Sequence, residues 1–264
     1  MKKFVIFGNP VAHSKSPQMH NAAFKFSGFD GSYDKFLLED GVQIKNVFLE
    51  NNFSGANITV PHKEIAFEQA DEVRGIASQI GAINTYILED GKVVAYNTDA
   101  PGFIKAIQSF GEIRNVLILG AGGTAKAIAT ALVQNGQKVT VVNRSVQKLE
   151  YFKNLGCDTF DWCGLSKYDF DLVVNSTSAG LKDEEFPMPP KLLEGILKRS
   201  KNAFDCIYGK VTPFLKLAKE IGLNCKDGED MLLFQGVLAW EYFTKLSADE
   251  KVINIMRDAL KNHI

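Results

Sequence analysis

The sequence predicts an α/β protein with buried parallel strands, and three observations carry that reading. Val116-Leu117-Ile118-Leu119 is an apolar run suited to a strand covered on both faces. It leads through the glycine-rich turn Gly120-Ala121-Gly122-Gly123-Thr124 into Ala125–Val133, which reads as a helix. Other short apolar runs, among them 4–8, 55–60, 138–142, 171–175 and 203–208, alternate with segments of helical spacing.

The spacing Gly120-x-Gly122-x-x-Ala125, placed between strand and helix, is a phosphate-binding fingerprint. Gly120 permits the tight turn, Gly122 lets a pyrophosphate approach the backbone, and Ala125 lets helix and strand pack closely. A plain strand–helix turn would use the same glycines. The next strand, 138–142, ends in Asn143-Arg144-Ser145, about 20 residues on, where the ribose of an adenosine is read. No acidic residue stands there to accept bonds from a free 2′-hydroxyl, and Arg144 and Lys148 suit a 2′-phosphate. The expected cofactor is NADP. A solvated helix end is the alternative for the two cations.

The chain has 264 residues, 45% hydrophobic and 23% charged, with a formal net charge of -1. That is ordinary globular composition, with no bulk electrostatic case for nucleic acid or an anionic membrane. Lys2-Lys3 before Phe4-Val5-Ile6-Phe7 is not a leader, because the apolar run stops at Gly8-Asn9-Pro10. No stretch is apolar for long enough to span a bilayer. Cys157, Cys163, Cys206 and Cys225 form no C-x-x-C pair, and His13, His20, His62 and His263 show no metal spacing. Buried free thiols in a reducing cytoplasm and no metal are expected.

In chain order, Ser16-Pro17 reads as a helix start, a capping hydroxyl followed by proline, with Met19, Ala22, Ala23 and Phe26 at helical spacing. Ser14 and Ser16 therefore sit at a helix N-terminus, which suits a carboxylate or phosphate; Ser16 capping its own helix is compatible with that role. Strands are expected at 32–38 and 55–60, with a helix at 42–51 between them. Asn57, Thr59 and Lys63 lie around one strand terminus, where ligands of open α/β sheets bind. Lys63 there is an acid/base candidate or an exposed charge at a helix start. Asp90-Gly91 turns a hairpin between 81–88 and 93–96. Asp99 follows its second strand, ahead of a helix opened by Pro101-Gly102. Thr212-Pro213 starts a further helix and Gly222 stops it. Gln235 is the one amide in the apolar helix 231–240, bonded to protein or to a ligand. An amphipathic helix is expected over 247–263.

Taken together, these pieces resemble the shikimate dehydrogenase family over nearly the whole chain. The resemblance rests on Phe7-Gly8-Asn9-Pro10-x-x-His13-Ser14-Lys15-Ser16-Pro17, Asn57-x-Thr59-Val60-Pro61-x-Lys63, Gly81-Ala82-x-Asn84-Thr85 and Asn97-Thr98-Asp99. It continues through Gly120-Ala121-Gly122-Gly123, Asn143-Arg144-Ser145, Asn175-x-Thr177-Ser178-x-Gly180, Asp205-x-x-Tyr208 and Gly228…Met231…Gln235.

The resemblance implies two domains: an open α/β substrate domain of residues 1–99 and 229–264, and a Rossmann domain of residues 100–228, with the site in the cleft. It implies NADPH-dependent reduction of 3-dehydroshikimate to shikimate, in the cytoplasm and in a homodimer. Ser14 and Ser16 would bind the substrate carboxylate. Thr59, Asn84, Asp99, Tyr208 and Gln235 would hold ring hydroxyls or that carboxylate. Lys63 would be the catalytic acid/base, with Asp99 holding it in register. Gly120, Ala121, Gly122, Gly123, Thr124, Asn143, Arg144, Ser145, Lys148, Cys206 and Gly228 would line the cofactor. This chain departs from the family's common pattern at His62, where phenylalanine is frequent, at Lys148, where arginine is, and at Cys206, where methionine is. Two alternatives stand beside this reading: a quinate/shikimate dehydrogenase that tolerates NAD, and a non-catalytic ligand-sensing paralogue.

Overall fold

A computed structural model describes residues 1–165 and 169–261. They form two units, Met1–Gly102 with Leu232–Ile264, and Phe103–Met231. The chain crosses between them three residues beyond each expected position, after 102 rather than 99 and after 231 rather than 228.

The first unit opens with β1 (Lys2–Gly8), α1 (Ser16–Ser27), β2 (Gly31–Leu37), α2 (Ile44–Glu50), β3 (Gly55–Ile58) and α3 (Lys63–Gln69). It continues with β4 (Glu72–Val73), α4 (Ala77–Ile80), β5 (Thr85–Glu89), β6 (Lys92–Tyr96) and the start of α5 (Asp99–Ile107). Its sheet runs β2-β1-β3-β5-β6-β4. β1 pairs in parallel with β2 and β3, while β5 is antiparallel to β3 and β6. The β5–β6 hairpin turns at Asp90 and Gly91, with φ of 49° and 77°, the pair of left-handed residues a two-residue turn requires.

Alternation along β1 sends Phe4 and Ile6 to one face and Val5 and Phe7 to the other. Both sets are buried, so both faces of the sheet are covered. Each such side chain contributes about 1.5–3 kcal/mol by leaving water.

The second unit follows with β7 (Asn115–Leu119), α6 (Gly123–Gln134), β8 (Lys138–Val142), α7 (Glu150–Asn154), β9 (Asp158–Phe160) and β10 (Phe170–Asn175). After these come α8 (Pro190–Leu197), β11 (Ser200–Asp205), α9 (Pro213–Ile221) and β12 (Asn224–Lys226). The sheet is wholly parallel, in the order β12-β11-β10-β7-β8-β9. That is the doubly wound order, and its topological switch point lies between β7 and β10.

The last helices are α10 (Glu229–Thr244) and α11 (Glu250–Lys261). Trp240 and Phe243 of α10, and Val252, Met256 and Leu260 of α11, pack with Met19 and Phe24 of α1 over the Phe4 face of the first sheet. Asp249 caps α11 by accepting from Val252 N at 2.9 Å, so that helix begins after 247. His263, at the far end of the expected helix, lies outside the described residues.

Several expectations are corrected. Ser16 is not a cap: it is the first residue of α1, its N–H donates to Ser14 Oγ at 3.3 Å, and Lys15 before it makes no side-chain cap. Asp99 is the first residue of α5 and Pro101 its third, so the helix opens two residues before the proline. β3 ends at Ile58, leaving Thr59 in the turn before α3, and β11 ends at Asp205, ahead of Cys206. Of the four thiols only Cys157 is buried: Cys163 is exposed in a turn, and Cys206 and Cys225 are half-buried. No helix among the described residues is long and apolar enough to cross a membrane.

Candidate active site

In the first unit, four chain segments converge in a polar cluster. Lys63 is the first residue of α3 and Asp99 the first of α5. A carboxylate is favoured at a helix N-terminus and an ammonium is not, so the pairing offsets the lysine's position. Lys63 Nζ donates to Asp99 Oδ2 over 2.6 Å, with side-chain exposures of 18% and 12%. Asn84 Nδ2 donates to the other oxygen, Oδ1, over 3.0 Å. The Asn84 side chain is itself fixed, since its Oδ1 accepts from Thr98 N at 2.7 Å. Asn97 anchors the same segment by accepting from Ala100 N and donating to Ala82 O. Gln235, from α10, accepts from Asn84 Nδ2 at 3.4 Å and donates to Leu232 O at 2.8 Å. The amide is therefore bonded to protein groups, one of the two roles expected for it.

Ser14 and Ser16 lie side by side, both buried, with Ser14 Oγ donating to Ser16 Oγ at 3.3 Å. Tyr33, of β2, donates to Asn57 Oδ1 at 2.7 Å; Asn57 Nδ2 donates to Thr85 Oγ1 at 3.1 Å, and Thr85 Oγ1 to Asn84 Oδ1 at 3.1 Å. One continuous array thus joins Tyr33 and Asn57 to Asn84, Asp99 and Lys63. Thr59 is held by its backbone, donating from N to Phe7 O and accepting from His62 N, and neither bond joins it to that array. His62, the departure from the common pattern, is buried with Nε2 against Leu38 O at 2.7 Å.

In the second unit, the glycine turn lies at the carboxyl ends of β7 and β10. Gly120 has φ of +107°, and a Cβ there would meet Ser176 Oγ at 2.9 Å and Thr177 Cγ2 at 3.0 Å, so only glycine fits. A Cβ on Gly122 or Gly123 would meet nothing within 4 Å, which leaves their backbone approachable. The first N–H groups of α6, from Gly123 and Thr124 onward, have no intrahelical acceptors and favour an anion. Ala121 and Ala125 are buried in the turn and helix.

After β8, Asn143 Nδ2 donates to Ser145 O at 2.9 Å and shapes the turn that presents Arg144. Arg144 and Lys148 are exposed, and neither makes an ion pair with another described residue. Cys206 N bonds to Asn175 O, and Gly228 comes so close to Cys206 that a Cβ would lie 2.3 Å from its carbonyl oxygen. These features fit a dinucleotide phosphate.

Tyr208 also belongs to this unit, and burial raises its phenol above the ordinary value. Asp205, fully buried at the end of β11, fixes the loop before it. Asp205 accepts from Ile207 N at 3.0 Å, Thr212 Oγ1 at 2.6 Å and Asn175 Nδ2 at 3.2 Å, while burial raises its own pKa.

The sequence reading gave no role to Tyr33, Thr85, Thr98 or Asp205. Thr85, Thr98 and Asp205 stood inside the quoted motifs, which was the available signal. Tyr33 stood in none.

Comparison with known proteins is consistent across the chain. Residues 6–86 match the model of the shikimate dehydrogenase substrate binding domain, and residues 105–182 that of shikimate / quinate 5-dehydrogenase. A shikimate dehydrogenase (NADP(+)) of Helicobacter hepaticus is 45% identical, covering 97% of this chain and 96% of its own. One of Helicobacter pylori is 46% identical, covering 97% and 98%. Among solved structures, shikimate 5-dehydrogenase of Thermus thermophilus in complex with NADP(H) and shikimate superposes with a TM-score of 0.87 at 34% identity, covering 99% of each chain. Shikimate dehydrogenase of Aquifex aeolicus gives 0.90 at 32% identity, covering 99% of this chain and 98% of its own. With near-complete coverage at this identity, and with the motif residues gathered as described, the chain belongs to the shikimate dehydrogenase family.

Proposed function

We propose that the chain catalyses the reversible, NADPH-dependent reduction of 3-dehydroshikimate to shikimate, a step toward chorismate and the aromatic amino acids. The observation that carries this reading is the Lys63–Asp99 pair, with its second carboxylate oxygen held by Asn84. Reduction of a ketone builds negative charge on its oxygen, and a proton must follow. Lys63, as an ammonium, stabilises that charge and delivers the proton. Asp99 holds Lys63 in place and accepts from a ring hydroxyl. Asn84, Gln235, Thr59 and Tyr208 bind the remaining hydroxyls or the carboxylate, and Ser14 and Ser16 meet the carboxylate.

NADPH, when bound, supplies the hydride. The backbone from Gly120 through Ala121, Gly122 and Gly123 to Thr124 holds its pyrophosphate. Arg144 and Lys148 hold the 2′-phosphate, and Asn143, Ser145, Cys206 and Gly228 line the nucleotide. Support comes from the open space beside Gly122 and Gly123 and from two exposed cations after β8 that make no ion pair with another described residue.

The test is a spectrophotometric assay of purified protein with shikimate and NADP⁺. Formation of reduced nicotinamide that depends on both compounds is expected. No turnover with shikimate and either NADP⁺ or NAD⁺ would contradict the proposal.

A further inference from the structure

Glycine is the poorest helix former after proline, yet Gly102 stands at the fourth position of α5. The reason is a contact. A Cβ on Gly102 would lie 2.7 Å from Gln235 N and 3.0 Å from both Cα and Cβ of Gln235. At this point α5 and α10 touch backbone to backbone, and no side chain fits between them. Both residues belong to the first unit.

α5 is anchored at this end. Thr98, just ahead of its first residue, donates from N to Asn84 Oδ1 at 2.7 Å and accepts from Gly102 N at 3.0 Å, while Asp99 holds Lys63. A side chain at position 102 would therefore displace α10. Gln235 Nε2 donates to Leu232 O at 2.8 Å within α10, so the amide travels with its helix. A carbonyl only accepts, which makes the amide oxygen the end that faces the cluster. It accepts from Asn84 Nδ2 at 3.4 Å and from Thr98 Oγ1 at 3.5 Å, both at the limit of a hydrogen bond. Ordinary carbon contact is about 3.5–4.0 Å, so an alanine at 102 would drive α10 back by about 1 Å and break both bonds.

We infer that Gly102 is a positioning residue for substrate binding: by carrying no side chain it lets α10 close on α5 and holds the Gln235 amide against Asn84 and Thr98, beside Asp99. This rests on the proposed function, in which Gln235 binds a polar group of the substrate.

The experiment measures dissociation constants of shikimate for the wild type, Gly102→Ala, Gln235→Ala and the double variant. Each single variant should weaken shikimate by about 5–15-fold, the range of one hydrogen bond to the ligand. The double variant should bind within about 2-fold of Gln235→Ala, because with the amide gone the displacement of α10 has nothing left to misplace. The loss in Gly102→Ala should fall on KM for shikimate, with kcat within about 3-fold and NADP⁺ affinity unchanged, since the Lys63–Asp99 pair is built on α3 and α5.

A merely structural role for Gly102 would give additive losses in the double variant. Additive losses, or shikimate affinity near that of the wild type in Gly102→Ala, overturns the inference. Should Gly102→Ala not fold, Gln235→Asn draws the amide back by one methylene and leaves the helix contact alone. Wild-type shikimate affinity in Gln235→Asn would then overturn the inference. Failure of the wild-type protein to bind and oxidise shikimate would instead strike the proposed function.

Discussion

Lys63 and Asp99, 36 positions apart, each open a helix, and the lysine donates to the carboxylate over 2.6 Å. Asn84 takes the other carboxylate oxygen at 3.0 Å and is itself gripped by the backbone of Thr98. The lysine is thus held through a carboxylate with both oxygens engaged. A group meant to move a proton at a defined atom needs such support, because small displacements are expensive in rate.

Arg144→Ala tests the cofactor reading. The side chain is exposed and makes no ion pair among the described residues, so its removal should leave the fold intact. KM for NADPH is expected to rise about 10–100-fold, as for loss of a charge-assisted contact to phosphate, with KM for NADH nearly unchanged. Equal effects on the two cofactors would contradict a 2′-phosphate contact.

Gly120→Ala tests the turn. The residue would need a φ of +107° and would place Cβ 2.9 Å from Ser176 Oγ. Destabilisation of about 1–3 kcal/mol is expected, with weaker NADP⁺ binding. Thermal unfolding and titration calorimetry measure the two effects. Wild-type stability would mean that the turn relaxes without loss.

His20 gives a pH prediction. Burial lowers its pKa from 6.5 to about 3, so the folded protein keeps the imidazole neutral while the unfolded chain protonates it. Between those values the unfolded state binds more protons. The stability contributed by neutral His20 is therefore full above pH 6.5 and falls as pH drops, by up to about 1.4 kcal/mol per pH unit. His20→Phe should lose this dependence. Urea unfolding of both proteins at about pH 5 and about pH 7.5 checks it: the variant's relative stability should improve at the lower pH. An unchanged difference would mean that the imidazole is not buried neutral.

Much of the fold was legible because periodicity reports burial. The runs 116–119 and 138–142 gave β7 and β8, and Asp90-Gly91 gave its hairpin. Strands of two or three residues, such as β4, β9 and β12, carry too little pattern to be read. The candidate site was legible in its placement, since the fold brings Lys63 and Asp99 together and gives Gly120 a conformation and surroundings that only glycine fits. Tyr33 was not, since a tyrosine in β2 looks like core until the fold sets its hydroxyl against Asn57. Ser16-Pro17 misled in the opposite sense: the local pattern of a cap is present, but Ser16 is already helical and its hydroxyl accepts from Ser14 Oγ, two residues earlier.

Steady-state kinetics of Lys63→Ala beside the wild type is the most direct measurement of whether the lysine moves the proton. Thermal unfolding and shikimate binding should show the variant folded and substrate-competent. Its kcat should fall about 10²–10⁴-fold with KM for shikimate largely spared. Turnover near that of the wild type would remove Lys63 from the chemistry and leave the proposed reduction without its proton donor.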